Sequence, residues 1–207
     1  MIPVNVLAVR YLANASPALL EGLGASKDMP SLAMLTTDSD DATYIALDAA
    51  TKAADVKVSY GRSFYAGAAN ASTPNAGEVI GILAGATPGA VKSGMEAALS
   101  ALERIGFEEV CGVPYLAMTV SSVGSFLAGE AGVPIGSAVA YLIAPPLESM
   151  YAMDAALKAA DVKLCKLYSP PSETNFGGGL LAGTQSACDA ACDAFAQAVR
   201  EVAQQPK

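Results

Sequence analysis

Asp38-Ser39-Asp40-Asp41 is a compact run of side chains able to do chemistry. Carboxylates and a hydroxyl at this spacing can cap a helix, complement its dipole or hold a cation. Capping needs only one or two of them. Further acids stand elsewhere: Glu78 at the start of an apolar strand, Glu148 in the first turn of a helix, and Glu173 beside Thr174 in a proline-bounded loop. Dipole complementarity accounts for Glu148, and solvation is the default for Glu173. Taken together, these residues offer carboxylates and a hydroxyl for a small cation that carries a polar group. A divalent metal also suits carboxylates, but no tight metal motif accompanies them, so neither a metal nor a cofactor is expected.

Other chemistries are excluded by what the chain lacks. There is no histidine, which removes Ser-His-Asp and Cys-His nucleophilic mechanisms. Cys188 and Cys192 share a helix face, yet with no histidine and no second close cysteine pair they read as small buried apolar residues before they read as zinc ligands. Gly177-Gly178-Gly179 lies between strands with the wrong spacing for a dinucleotide fingerprint. No catalytic residue is assigned, and the chain is read as a non-enzyme. The net charge of −8 argues against nucleic acid and against anionic lipid as partners. Val110–Gly129 is uncharged apart from its flanks but broken by Gly112, Pro114 and Gly124, so it is not read as membrane-spanning. The first residues lack the pattern of a signal peptide, and a cytosolic protein without disulfides is expected.

The elements that must position the acids are organised by a repeat. Asp48-Ala-Ala-Thr-Lys-Ala-Ala-Asp-Val-Lys57 returns as Asp154-Ala-Ala-Leu-Lys-Ala-Ala-Asp-Val-Lys163, with a single substitution and an offset of 106 residues. A match of that length at half the chain indicates internal duplication. The alanines follow three-and-four spacing, and Asp48 precedes Lys52, as Asp154 precedes Lys158, by four residues. Each copy is therefore a helix buried on most sides, against its own sheet and either within a monomer core or against a neighbouring subunit. Each half of the chain reads as β, short α, β, α, β, β, α. That order predicts an α/β (α+β) protein of two tandem domains, residues 1–106 and 107–207, each a small, mostly antiparallel sheet with flanking helices. Where the first copy has Asp38–Asp41, the second has Ala144-Pro145-Pro146-Leu147, so the fold does not require the acids. Two small-residue loops, 66–77 and 169–179, occupy equivalent places and read as hairpin connections or as the moving rim of an aperture.

Four blocks carry a family resemblance: Asp38-Ser-Asp-Asp-Ala-Thr-Tyr44, Tyr60-Gly-Arg-Ser-Phe-Tyr-Ala-Gly-Ala-Ala69, Ala140-Tyr-Leu-Ile-Ala-Pro-Pro-Leu-Glu148 and Pro170-Pro-Ser-Glu-Thr-Asn-Phe176. In this order they resemble the EutL family of ethanolamine-utilisation shell proteins of bacterial microcompartments. Residues 103–123 depart from that family's pattern. The resemblance implies two circularly permuted shell domains in tandem. It implies a homotrimer forming a pseudohexameric tile among other shell proteins in a cytoplasmic microcompartment. It further implies a gated central pore and small subunit pores that pass small amines or alcohols. Carried over by residue, it implies Asp40 and Glu78 as ammonium-binding carboxylates for ethanolamine and Thr174 as a hydroxyl partner. Phe107 would contribute backbone, with Asp41, Glu148 and Glu173 nearby. The gate would include Tyr65, Gly67, Ala68, Asn70, Ser72 and Asn75 on one loop, and Ser172, Asn175, Phe176 and Gly177 on the other. A tile of another compartment without ethanolamine binding, and a small-ligand sensor, are the alternative readings.

Overall fold

The computed structural model describes residues 1–64, 78–170, 172 and 175–205. In chain order the elements are β1 (Ile2–Pro3), β2 (Val6–Leu12), α1 (Pro17–Gly22), β3 (Ser31–Thr37), α2 (Asp40–Ala53), β4 (Val56–Ser63), β5 (Val79–Gly85) and α3 (Pro88–Leu102). There follow β6 (Gly106–Val110), β7 (Val113–Val120), α4 (Ser125–Ala131), β8 (Ala138–Ala144), α5 (Pro146–Ala159), β9 (Lys163–Tyr168), β10 (Gly177–Gly183) and α6 (Gln185–Gln204). They fall into two units. The first comprises Pro3–Ile105 and Gly124–Leu127; the second comprises Met1–Ile2, Gly106–Val123 and Ala128–Lys207.

The first unit holds a sheet of order β2-β3-β5-β4, with antiparallel neighbours throughout. Side chains alternate across it, as the two-residue period of a strand requires. Ile82 and Ala84 of β5 join Leu32 of β3 and Leu20 of α1 in one apolar cluster. Their alternates, Gly81 and Leu83, approach Leu47 of α2 and Gly94 of α3. Helix starts follow local chemistry: Ser16, Ser39 and Thr87 each accept a backbone amide three residues on, and proline follows directly in α1 and α3.

The second unit holds a sheet of order β1-β6-β7-β8-β10-β9. Without β1 and β6 its order, β7-β8-β10-β9, repeats that of the first unit element for element. Leu142, Leu181, Met153, Phe195 and Val199 make its core against α5 and α6.

Three departures from the sequence expectations have physical causes. The strand β6 was not expected. It forms because Cys111 (φ 51°) and Gly112 (φ 80°) make a two-residue turn with both residues left-handed, the geometry that matches strand twist in a hairpin. The first repeated helix begins earlier than expected, at Asp40, so that two of the three acids in the run are helical. Gly177, expected in a mobile loop, is a buried residue that opens β10 opposite Ala144. The three glycines there are packed. A Cβ on Gly177 would lie 2.6 Å from Ser149 Oγ, and one on Gly178 or Gly179 would collide with the carbonyl oxygen of Leu142 or Lys166. Gly178 also has φ 146°, which L side chains rarely adopt.

Candidate functional site

The residues of Asp38–Asp41 have separate tasks. Asp38 is exposed and accepts two hydrogen bonds from Asn5, one from its backbone N (2.8 Å) and one from its Nδ2 (2.7 Å). Ser39 is the N-cap, its Oγ accepting from the Ala42 amide. Asp40 and Asp41 are the first helical residues and both are buried. The turn that delivers them is fixed by hydroxyls. Thr37 and Thr43 are fully buried, their Oγ1 atoms lie 2.7 Å apart and each 2.8 Å from the Ser39 carbonyl, so two hydroxyl protons serve a three-oxygen cluster.

Glu78 meets this turn from β5. Its amide donates to the Thr37 carbonyl (2.8 Å), and its own carbonyl accepts from Phe64 (3.0 Å) at the end of β4. The ends of β3 and β4 and the start of β5 thus converge on the first turn of α2. Burial pushes the Asp40 carboxyl above its ordinary value, against hydrogen bonds from Ser63 and from the Asp41 amide that favour the charged form. Burial likewise raises Glu78, and the charges of Asp40 and Asp38 raise it further. Among the described residues, no lysine or arginine pairs with Asp38, Asp40 or Glu78 within 4 Å. The arrangement is a set of crowded carboxylates whose charge is uncompensated within the described chain, a setting that favours a cation.

The remaining candidates lie in the second unit or outside the described residues. Phe107 is half-buried on β6, its ring 5.8 Å from that of Phe176 and edge-on to it. Glu148 sits in the first turn of α5, which has no side-chain cap and follows Pro145. Ser172, Asn175 and Phe176 form a tight turn. The Ser172 Oγ accepts from the Phe176 amide (3.2 Å), and Asn175 takes φ 62°, which asparagine tolerates. Glu173 and Thr174 lie outside the described residues, as do Tyr65, Gly67, Ala68, Asn70, Ser72 and Asn75. Among the described residues there is no group of three or more His, Cys, Asp or Glu that could hold a metal ion. No described helix is long and apolar enough to cross a membrane.

Sequence reasoning missed three contributors. Ser63 and Tyr44 stand behind Asp40, with the Tyr44 hydroxyl 2.6 Å from Ser63 Oγ. Asp48 stands out in the sequence only through its spacing from Lys52, yet it is fully buried. It accepts from the amides of Gly124 (2.7 Å) and Leu127 (2.9 Å), and Lys52 Nζ lies 3.3 Å away. Asp154 occupies the same place in a motif that differs only at Thr51, which is Leu157 in the second copy.

A short helix, two long helices and a four-stranded antiparallel core of one strand order, present twice in one chain, define a tandem, circularly permuted microcompartment shell protein. A sequence model of the BMC domain matches residues 31–114. The chain is 55% identical to the bacterial microcompartment shell protein EutL of Clostridium perfringens over its whole length and 97% of that protein. It is 45% identical to EutL of Escherichia coli, over the whole chain and 96% of that protein. The chain belongs to the EutL family. The crystal structure of ethanolamine utilization protein EutL from Leptotrichia buccalis superposes with a TM-score of 0.95 at 56% identity, covering 99% of this chain and 96% of the other. EtuB of Clostridium kluyveri, at 20% identity and a TM-score of 0.82 over 96% of this chain and 88% of its own, shares the fold. The protein is thus a structural, non-catalytic component of a microcompartment shell, in a family whose members assemble with other shell proteins into oligomeric tiles.

Proposed function

We propose that this chain forms a homotrimeric, pseudohexameric tile in the shell of a cytoplasmic ethanolamine-utilisation compartment, and that Asp40 and Glu78 recognise the ammonium group of ethanolamine. The observation that supports the amine site is the convergence of Asp40 and Glu78 at one end of the first sheet, both held above the ordinary carboxyl range by burial. A cationic amine leaving water needs a carboxylate partner, and its arrival would relieve the repulsion between these acids. Thr174 supplies the hydroxyl partner in this reading. Phe107, Asp41, Glu148 and Glu173 belong to the same reading as neighbours, and the loops around 66–75 and 172–178 act as the gate of a central pore. A ligand can close such a gate only by binding the closed state better than the open one.

Two measurements test this. A native mass near 62.4 kDa, three copies of 20.8 kDa, is expected; a monomer at every concentration would remove the tile and its pore. Titration calorimetry should show ethanolamine binding that Asp40→Asn and Glu78→Gln each weaken at least about tenfold, the loss expected for a charge-assisted hydrogen bond. Equal binding by wild type and both variants would leave a tile without amine selectivity.

A further inference from the structure

We infer that Ser63 and Tyr44 are positioning residues for Asp40: a hydroxyl chain running from the α2 ring to β4 that orients the carboxylate toward the amine. The inference rests on the amine reading above. Tyr44 follows Asp40 by one turn on α2, its hydroxyl lies 2.6 Å from Ser63 Oγ, and the Ser63 hydroxyl beside Asp40 favours the charged form of that carboxyl. An ionised carboxylate only accepts, so Ser63 must donate to Asp40. That leaves the Ser63 oxygen to accept, and Tyr44 to donate into it. The direction of the whole chain therefore follows from the charge at its end.

The chain is braced from behind. Tyr44 packs against Phe126, ring centroids 5.9 Å apart. Both rings lie over Gly61 of β4, where a Cβ would stand 3.4 Å from Phe126 and 3.5 Å from Tyr44. Phe126 is held in turn because the amides on either side, Gly124 and Leu127, are bound to the buried Asp48 carboxylate. The tyrosine has no easy second position and can ionise only at high pH. Burial outweighs its bond to Ser63 and pushes it up to about 12, and the charges of Asp40 and Asp41 act in the same direction. It is a fixed donor across the working range of the protein. The charged and titratable groups that face this site are Asp38, Asp41, Tyr44 and Glu78.

The test uses the full chain and two readouts. The Asp40 carboxyl is titrated by carbon-13 NMR without ligand, and ethanolamine affinity is measured by calorimetry across pH. Ser63→Ala removes a hydrogen bond to the charged form, so the Asp40 titration should rise by about one pH unit and ethanolamine should bind about tenfold more weakly. The acidic limit of binding should move up with it. Tyr44→Phe keeps the ring and should give a smaller change of the same sign, about threefold. Ser63→Thr keeps the hydroxyl and should restore both readouts, which a merely structural defect in Ser63→Ala would not predict. If wild type binds ethanolamine and the variants bind and titrate as wild type does, the positioning chain is wrong and the amine site stands. If wild type binds no ethanolamine but Asp40 titrates higher in Ser63→Ala, the amine site is wrong and the positioning of Asp40 stands. Thermal melting of each variant separates these outcomes from unfolding, and Ser63→Thr with Tyr44→Phe decide the matter if Ser63→Ala does not fold.

Discussion

The Asp48 carboxylate accepts the amide of Leu127 at 2.9 Å across 79 positions of sequence, and does for α4 what a local cap does for other helices. Residue 124 precedes the helix, yet as glycine it has no side chain to cap with. A Cβ there would lie 2.7 Å from the Asp48 carbonyl and collide with Thr51 Oγ1. The cap is therefore borrowed from α2. Thr51 completes it by accepting from Ser125 while donating to the Asp48 carbonyl. In the second copy the matching Asp154 is exposed and, among the described residues, pairs with Lys158 at 2.5 Å.

This difference predicts unequal costs for one substitution. Asp48→Asn places an amide NH2 against a backbone donor in a buried site and should destabilise by about 3 kcal/mol. Asp154→Asn loses an exposed pair and should change stability by less than about 0.5 kcal/mol. Urea denaturation of the two variants compares them directly, and equal midpoints would refute the borrowed cap.

The crowded acids predict a conflict between stability and binding. A carboxyl raised in the fold is protonated more readily there than in the unfolded chain. Stability therefore falls as pH rises from the ordinary carboxyl range through the raised folded value. Removing the charge at Asp40 or Glu78 should relieve this, so Asp40→Asn and Glu78→Gln should melt higher than wild type at pH 7 without ligand. The gain should vanish well below the ordinary carboxyl range, where the group is protonated in both states. Variants that melt lower than wild type at pH 7 would show that the acids stabilise the empty fold.

Two glycines away from the acidic cluster should respond in opposite ways to alanine. Gly178→Ala forces a positive φ and a collision with the Leu142 carbonyl, and should cost at least about 3 kcal/mol or prevent folding. Gly129 lies exposed within α4 with nothing within 4 Å of its missing Cβ. Gly129→Ala should stabilise by up to about 1 kcal/mol, read from the same denaturation curves.

The four thiols should divide in a titration with a disulfide reagent at pH 8. Cys111 is exposed on its hairpin turn and Cys165 is partly exposed, so both should react in the native protein. Cys188 and Cys192 are buried; burial raises both, Cys192 to about 11, and leaves little thiolate. They should react only on unfolding. Rapid modification of Cys192 in the folded chain would contradict its packing against Thr119 and the sheet.

The duplicated architecture was legible because it is written in local signals: alanine spacing, serine and threonine caps, and a long repeat. The acids at Asp40 and Glu78 were legible as residues, since the second copy does without Asp38–Asp41. Their convergence was not, because it depends on where three strand ends meet. The strand β6 was hidden by a Cys-Gly turn that lacks the usual Asn or Asp. Ser63, Tyr44 and Asp48 went unread because each takes its meaning from a distant partner: Tyr44 reaches Ser63 on another element, and Asp48 reaches amides 76 and 79 residues away. Two decapeptides that differ only at Thr51 and Leu157 take different environments, and their shared alanine pattern does not specify which.

The matching strand orders of the two sheets also bear on heredity. In a protein built from one small domain, every mutation is copied into all equivalent places of an assembly. Here the gene holds two versions of the same architecture, and each drifts alone. One has acids at the end of its sheet, while the other has Ala144-Pro145-Pro146 there. Any coat assembled from this chain therefore carries two dialects of one fold, and selection can edit the acidic turn of one without touching the Ala-Pro-Pro segment of the other.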